Sequence, residues 1–169
     1  MAMVSAFLRR VLIDTNVLLF GLSPLPELGI GASPKERYAL EQGRNARALL
    51  AQCRTEGVPV FVSSISVGEV LEGVPEAEAQ AVYAVMTSLF PTLPLDNACV
   101  FVAAAYARVL RRLDVQDTAD KTKLRNDLYI LATGVQNGCT DFYTTDKILQ
   151  KQAARLAIPM RVHSLATVT

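Results

Sequence analysis

Short apolar runs, each too short for an ordinary helix, alternate with longer segments of helical periodicity along most of the chain. The runs cover residues 10–13 (RVLI), 58–62 (VPVFV), 92–95 (TLPL), 142–144 (FYT) and 159–162 (PMRV). Alternation of strands with helices is typical of a parallel sheet that carries helices on both faces. The chain has 169 residues and no evident linker or internal repeat, so residues 1–169 are predicted to form a single α/β domain.

Capping residues and apolar stripes place the predicted helices. Ser33, followed by Pro34, is a typical helix start, and the helix is expected to cover residues 34–54 with a weak point at Gly43. Further helices are expected before Gly73, over residues 75–89, after Asp96 and over residues 146–156. Two stripes at steps of three and four residues are predicted to face the core, Ala98, Val102, Ala105, Val109 and Leu113 on one helix and Leu124, Leu128, Leu131 and Val135 on the next.

Four acidic residues each interrupt or follow an apolar run: Asp14 in VLIDTNVLLF, Glu69 in SVGEVLEG, Asp127 in NDLYILATG and Asp146 in FYTTDKIL. A carboxylate in such surroundings costs free energy unless it is paired or bound to a metal ion. Open parallel sheets bind ligands in the crevice outside the carboxyl ends of their strands, where Asp14 and Asp146 are expected. Glu69 and Asp127 could reach this crevice from helices, so we expect one shared site.

A site built from carboxylates alone favours a hard divalent cation such as Mg²⁺ or Mn²⁺. Without a cation, two unit charges 4 Å apart would repel each other by about 4 kcal/mol at an effective dielectric constant near 20. The three cysteines lack zinc-ligand spacing and the single histidine, His163, lies near the carboxyl end of the chain. Zinc sites and Ser-His-Asp or Cys-His catalysis are therefore disfavoured. A water molecule activated by a divalent cation could instead attack a phosphodiester.

Each of these acidic residues also has a purely structural interpretation. Asp14, Asp127 and Asp146 could cap helices, and Glu69 could be an ordinary solvated helix position. Other acidic residues fit caps, turns and exposed faces better than a site, and they include Asp96, Asp114, Asp117, Asp120 and Asp141.

Charge and hydropathy exclude some classes of protein. A formal net charge of +1 argues against a strongly basic nucleic-acid-binding protein, so an RNA-binding surface would have to come from local clusters. No apolar run reaches the roughly 18 residues that span a bilayer, and the N-terminal segment lacks the order of a secretory signal, so a cytoplasmic location is predicted. The candidate RNA-contacting residues are Arg44, Arg47, Lys121, Lys123, Arg125 and Lys147.

These motifs resemble those of PIN-domain proteins, and specifically of VapC-type ribonuclease toxins. The resemblance rests on DTN after the first strand, SSISVGEVLEG, NDLYILATG and FYTTDKIL, which follow the family's order across nearly the whole chain. It implies a three-layer α/β/α fold with a central parallel sheet and an endoribonuclease that depends on Mg²⁺ or Mn²⁺. It further implies catalytic, metal-binding roles for Asp14, Glu69, Asp127 and Asp146, and carboxylate-orienting roles for Asn16, Thr144 and Thr145.

The resemblance also implies partners. Many members of the family are toxins inhibited by a co-expressed antitoxin protein, and many form homodimers, so RNA, an antitoxin and a second copy of the chain are the expected partners. The chain departs from the family in residues 22–57, which are longer than in a compact toxin, and in the bulk of Tyr129 to Leu131.

Other functions compete with this interpretation. A non-catalytic PIN-like module that binds RNA or protein is the main alternative, but the presence of all four acidic residues argues against it. Phosphatases of the haloacid-dehalogenase type place a second Asp two residues after the first, where this chain has Asn16, and response-regulator receivers carry paired acids near the first strand.

Overall fold

Five strands among the described residues form one parallel sheet. The structure is a computed structural model that describes residues 9–27, 29, 31–113 and 121–167. The strands are β1 (Val11–Ile13), β2 (Val60–Ser63), β3 (Thr92–Leu93), β4 (Asp141–Thr144) and β5 (Arg161–Ser164). Their spatial order is β3-β2-β1-β4-β5. The central strand β1 pairs with β2 and β4, so that Val11 lies beside Val60 on one side and Asp141 on the other. The predicted α/β fold with a central parallel sheet is confirmed.

Helices cover both faces of this sheet. The described residues form α1 (Thr15–Leu22), α2 (Pro34–Thr55), α3 (Ser64–Glu72), α4 (Glu76–Leu89), α5 (Asn97–Arg112), α6 (Lys121–Gln136) and α7 (Lys147–Leu156), with a final 3₁₀ turn at Leu165–Thr167. Successive strand residues point to opposite faces. Val11 and Ile13 pack in the core layer of α1 to α4, and Leu12 packs in the layer of α6 and α7. The result is the predicted three-layer α/β/α arrangement.

Most of the helices begin at a side chain that accepts a hydrogen bond from the first helical turn. These N-cap residues are Asp14, Ser33, Ser63, Asp96 and Asp146. Ser33 and Glu36 form a capping box in front of Pro34, so the predicted start of α2 is correct. The capping interpretation of Asp14 and Asp146 is also correct, whereas Asp127 lies in the interior of α6 and cannot cap it.

The predicted weak point at Gly43 is wrong, because α2 is continuous through it. A Cβ atom at Gly43 would lie 2.6 Å from Leu25 Cδ2. Glycine in a helix interior costs roughly 1 kcal/mol relative to alanine. In α2 the glycine lets Leu25, in the segment that follows α1, lie close to the helix.

The core-facing side of α5 also differs from the predicted stripe. Val109 and Leu113 belong to that stripe but are 40% and 53% exposed. The helix offers two apolar rows with helical spacing, and packing against α6 selects the other one. The buried residues of α5 are Cys99, Ala103 and Leu110.

The remaining sequence features are the three cysteines, the question of a membrane-spanning helix and three further acidic residues. The three cysteines, Cys53, Cys99 and Cys139, are free and buried. A helix able to cross a membrane is not found among the described residues. The caps and turns predicted for Asp114, Asp117 and Asp120 lie outside the described residues.

Asp141 opens β4 and is buried, so its predicted place in a cap, a turn or an exposed face is wrong. Its carboxylate hydrogen-bonds with Thr140 Oγ1 (2.7 Å), Arg161 Nη2 (2.9 Å) and His163 Nε2 (2.7 Å), and it lies 3.7 Å from Arg9 Nε. Burial would raise the pKa of Asp141, but the hydrogen bonds from Thr140, His163 and Arg161 outweigh burial and hold this pKa below its usual value. The carboxylate therefore ties β4 to β5 and to the residues that enter β1.

Replacing Asp141 by Asn should lower the free energy of unfolding at pH 7 by about 1–2 kcal/mol, because charged hydrogen bonds to a buried acceptor are lost. The folded-state pKa of Asp141 is lowered, so its stabilising contribution is present above the unfolded pKa of about 3.9. That contribution is lost as the pH falls through the folded pKa. The difference between wild type and variant should therefore shrink below about pH 4. Urea unfolding at a series of pH values measures this difference in the free energy of unfolding.

Glu56→Gln is the matched control. It removes a carboxylate that pairs with Arg9 at 3.2 Å but is 42% exposed, and such exposed pairs contribute only about 0.2–1 kcal/mol. An equal loss of stability in both variants would contradict the structural role assigned to Asp141.

Candidate metal-binding active site

The four acidic side chains come together at the carboxyl end of the sheet. Asp14 directly follows β1, and Asp146 lies two residues after β4. Glu69 lies on α3 and Asp127 on α6, and these two helices contact each other. The charges of Glu69 and Asp146 act on Asp14, and those of all three act on Asp127. The chain thus gathers the four candidates from positions spread over most of its length.

Asp14 is almost completely buried, with an exposed fraction of 4%. Its Oδ1 accepts a hydrogen bond from the Thr15 backbone N–H (2.8 Å), and its Oδ2 accepts one from Thr144 Oγ1 (2.7 Å). The pKa of Asp14 is raised to about 6, chiefly by burial, because the two hydrogen bonds offset burial only in part. The charges of Glu69 and Asp146 raise it further. Among the described residues, no basic side chain forms an ion pair with this carboxylate.

Asp127 has the most strongly raised pKa of the four. It is half-buried on α6, and its pKa is raised to about 7, first by burial and then by the charge of Asp14, with Lys123 acting in the opposite direction. No residue in the described part of the chain donates a hydrogen bond to its carboxylate. Asp127 is therefore the site carboxylate with the least support from its neighbours.

Glu69 is oriented by two polar residues that neighbour other site acids in sequence. Its Oε2 accepts a short hydrogen bond from Thr15 Oγ1, and its Oε1 accepts one from Asn126 Nδ2 (2.9 Å). Thr15 follows Asp14 and Asn126 precedes Asp127. Neither residue was predicted from the sequence, although the position of each beside a predicted acid was a usable signal.

Asp146 divides its two oxygens between helix α7 and a lysine. Oδ1 accepts hydrogen bonds from the backbone N–H groups of Ile148 (2.7 Å) and Leu149 (3.1 Å), which makes Asp146 the N-cap of α7. Oδ2 accepts a short hydrogen bond from Lys123 Nζ. Burial would raise the pKa of Asp146, but Lys123 and the two N–H groups outweigh burial and lower it.

Thr144 links the two acids that follow the strands. It is fully buried, and its Oγ1 donates to Asp14 Oδ2 while accepting a hydrogen bond from the Asp146 backbone N–H (3.0 Å). Asn16 is exposed and Thr145 is half-buried, and among the described residues neither hydrogen-bonds to a site carboxylate. Of the three residues predicted to orient carboxylates, Thr144 is the one that contacts the site.

The predicted RNA-contacting residues are dispersed. Lys123 contacts the site directly through Asp146. Lys121 and Arg125 line a cavity of about 390 Å³ between α5 and α6. Arg47 donates a hydrogen bond to the Ser23 carbonyl (2.8 Å) and so holds the segment after α1. The remaining two, Arg44 and Lys147, are exposed.

The donors at this site suit a hard cation such as Mg²⁺ or Mn²⁺, because all of them are oxygens. Lys123 is the basic residue that forms an ion pair with a site carboxylate within the described residues, so negative charge exceeds positive charge. Within the described residues, no group of three or more His, Cys, Asp or Glu side chains is arranged so that it could hold a metal ion. Lys123 holds one oxygen of Asp146, and both oxygens of Glu69 are hydrogen-bonded. A cation that bound Asp146 Oδ2 would have to share that oxygen with the Lys123 ammonium or displace the ammonium.

The chain is similar to known proteins at the level of structure. No protein-family model matches the chain, and no curated protein sequence matches it. Solved structures do match: FitAcB from Neisseria gonorrhoeae has a TM-score of 0.62 at 20% identity, over 93% of this chain and 99% of that one. VapBC-1 from nontypeable Haemophilus influenzae has a TM-score of 0.62 at 13% identity, over 94% and 99%.

A third match is VapBC2 from Rickettsia felis bound to a DNA fragment from its promoter, with a TM-score of 0.59 at 12% identity. It covers 92% of this chain and 98% of that one. These matches establish a shared fold over 92–94% of this chain, and at identities of 12–20% they establish the fold alone.

The raised pKa values of Asp14 and Asp127 predict a pH dependence of stability in metal-free protein. Their folded-state values of about 6 and about 7 lie above the unfolded value near 3.9, so the folded state binds more protons in between. The free energy of unfolding should therefore fall as the pH rises from about 4 to about 7, by roughly 2–3 kcal/mol for Asp14 alone. Urea unfolding in excess EDTA measures this fall.

Asp14→Asn isolates the contribution of that carboxylate. At pH 7 in EDTA this variant should be more stable than wild type, and its stability should fall less steeply with pH. Asp96→Asn, at the N-cap of α5, also removes one negative charge but should keep the wild-type pH dependence. If Asp14→Asn kept the wild-type dependence of the free energy of unfolding on pH, the Asp14 charge would not destabilise the folded protein at neutral pH.

Proposed function

We propose that this protein is a divalent-metal-dependent endoribonuclease that hydrolyses RNA phosphodiester bonds. The observation that carries the proposal is the convergence of four carboxylates at the carboxyl end of the sheet, two of them with pKa values raised to about 6 and about 7. Strongly perturbed carboxylates in a crevice are typical of functional sites. The motif resemblance to VapC-type toxins supports RNA as the substrate, and the fold shared with solved VapBC structures supports a protein of a toxin–antitoxin system.

Asp14, Glu69, Asp127 and Asp146 would hold Mg²⁺ or Mn²⁺ in this proposal. When bound, the metal ion supplies Lewis-acid activation of the phosphodiester and of the attacking water. Thr144 keeps Asp14 and Asp146 in a fixed relation, because one hydroxyl hydrogen-bonds to the side chain of the first and the backbone of the second. Thr15 and Asn126 fix the direction of the Glu69 carboxylate in the same way.

We further propose that the protein is the toxin of a type II toxin–antitoxin pair and acts as a homodimer. Large apolar side chains in contact with water are typical of surfaces that bind proteins. Phe101 on α5 is 71% exposed, and α1 and α4 together expose Leu19, Leu22, Tyr83, Val85 and Leu89. These surfaces leave room for an antitoxin protein and for a second copy of the chain.

Asp14→Asn tests the nuclease. The substitution preserves the size of the side chain and an oxygen for the Thr15 N–H, but it removes a charge that a cation needs, so Mg²⁺-dependent RNA cleavage should fall by at least about 100-fold. Cleavage of a labelled RNA at saturating Mg²⁺ measures this, with circular dichroism to show that the variant is folded. Asp96→Asn should cleave like wild type. Full activity of Asp14→Asn, or of wild type in excess EDTA, would refute the metal mechanism.

Induced expression in a bacterial host tests the toxin. Wild type should arrest growth, and Asp14→Asn should not. Colony counts after induction measure the effect. Equal arrest by wild type and Asp14→Asn would show that toxicity does not come from this site.

A further inference from the structure

Lys123 is placed where it can compete with a cation for one particular oxygen. It lies one helical turn before Asp127 on α6, and its Nζ hydrogen-bonds to Asp146 Oδ2. The other oxygen of Asp146, Oδ1, is held by the two N–H groups that begin α7. Oδ2 is therefore the oxygen that Asp146 could offer to a cation without uncapping α7, and the lysine ammonium already occupies it.

The Lys123 ammonium group is attracted by the charges of three of the four site acids. Asp146, Asp127 and Asp14 all attract it. A lysine is a mobile point charge on a flexible stem, and an exposed ion pair of this kind is worth only about 0.2–1 kcal/mol. The Lys123 side chain is 55% exposed whereas that of Asp146 is 11% exposed. The lysine can thus leave Oδ2 without disturbing the core, while the aspartate stays in place.

We propose that Lys123 is a built-in counterion that holds Asp146 Oδ2 in the metal-free protein and moves to a substrate phosphate when a divalent cation takes that oxygen. The inference rests on the proposed nuclease function and names a positioning residue for it. It assigns Lys123 two opposite effects, since the same ammonium weakens metal binding and strengthens binding of the substrate.

Metal affinity tests the first effect without any measurement of activity. In Lys123→Met the stem remains and the charge is lost, so Mn²⁺ should bind to the metal-free protein about two- to five-fold more tightly, as expected from loss of an exposed ion pair. Isothermal titration calorimetry with Mn²⁺ alone measures it. Lys123→Arg keeps the charge and should bind Mn²⁺ as wild type does.

Lys151→Met is the control for a general effect of charge. Lys151 is exposed on α7, four residues after Lys147, and the described residues show no ion pair between it and a site carboxylate. Its replacement removes one positive charge near the site without freeing Asp146 Oδ2. An Mn²⁺ affinity that rises equally in Lys151→Met and Lys123→Met, or that does not rise in Lys123→Met, would overturn the counterion role.

RNA cleavage at saturating Mn²⁺ tests the second effect. Lys123→Met should cleave a labelled single-stranded RNA with a kcat/KM reduced about ten-fold, mostly through KM, and its salt dependence should weaken by about one phosphate contact. Lys123→Arg should restore most of the loss. Wild-type cleavage by Lys123→Met at saturating metal would overturn the proposed movement to the phosphate.

The two measurements separate this inference from the proposed function. If wild type does not cleave RNA but Lys123→Met binds Mn²⁺ more tightly than Lys151→Met does, the nuclease proposal fails and the counterion role stands. If wild type cleaves RNA and Lys123→Met matches it in both Mn²⁺ affinity and kcat/KM, the nuclease stands and the role of Lys123 fails.

Discussion

The burial of a charged group at the end of the central strand is the constraint on which the site depends. Both faces of β1 are covered, so Val11, Leu12 and Ile13 are fully buried, and the next residue carries a carboxylate with only 4% exposure. Placing such a charge away from water is costly unless something compensates it. Two hydrogen bonds offset part of that cost, and the charges of Glu69 and Asp146 add to it. The site is therefore under electrostatic strain that a cation would relieve.

The two ends of β4 show two different environments for a buried carboxylate. At its amino end, Asp141 is surrounded by Arg9, Arg161 and His163, and its pKa is lowered. At its carboxyl end, Thr144 contacts Asp14, whose pKa is raised to about 6. Asp141 and Asp14 are both buried, but among the described residues only Asp141 of these two forms ion pairs. A buried carboxylate with a raised pKa and no paired cation is a candidate for a functional site.

Much of the fold was accessible from local patterns, because strands, caps and the acids that follow apolar runs are short-range features. The predictions that failed depended on packing. α5 has two apolar rows, and its contact with α6 buries Leu110 and leaves Val109 exposed. Gly43 suggested a weak helix, yet the neighbouring Leu25 makes the missing side chain an advantage. Asp141 resembled a turn residue because its partner Arg161 lies in another strand.

By itself the sequence determined the strand–helix alternation, the position of Asp14 and Asp146 at strand ends, and the absence of sulfur or imidazole ligands beside them. Only the tertiary structure decided which oxygen each donor holds. Thr144 and Asp14 are 130 residues apart, and Thr15 and Glu69 are 54 apart, so no local pattern links them. The same holds for Lys123 and for the raised pKa of Asp127, since both follow from distances between charges that the chain brings together only when it folds.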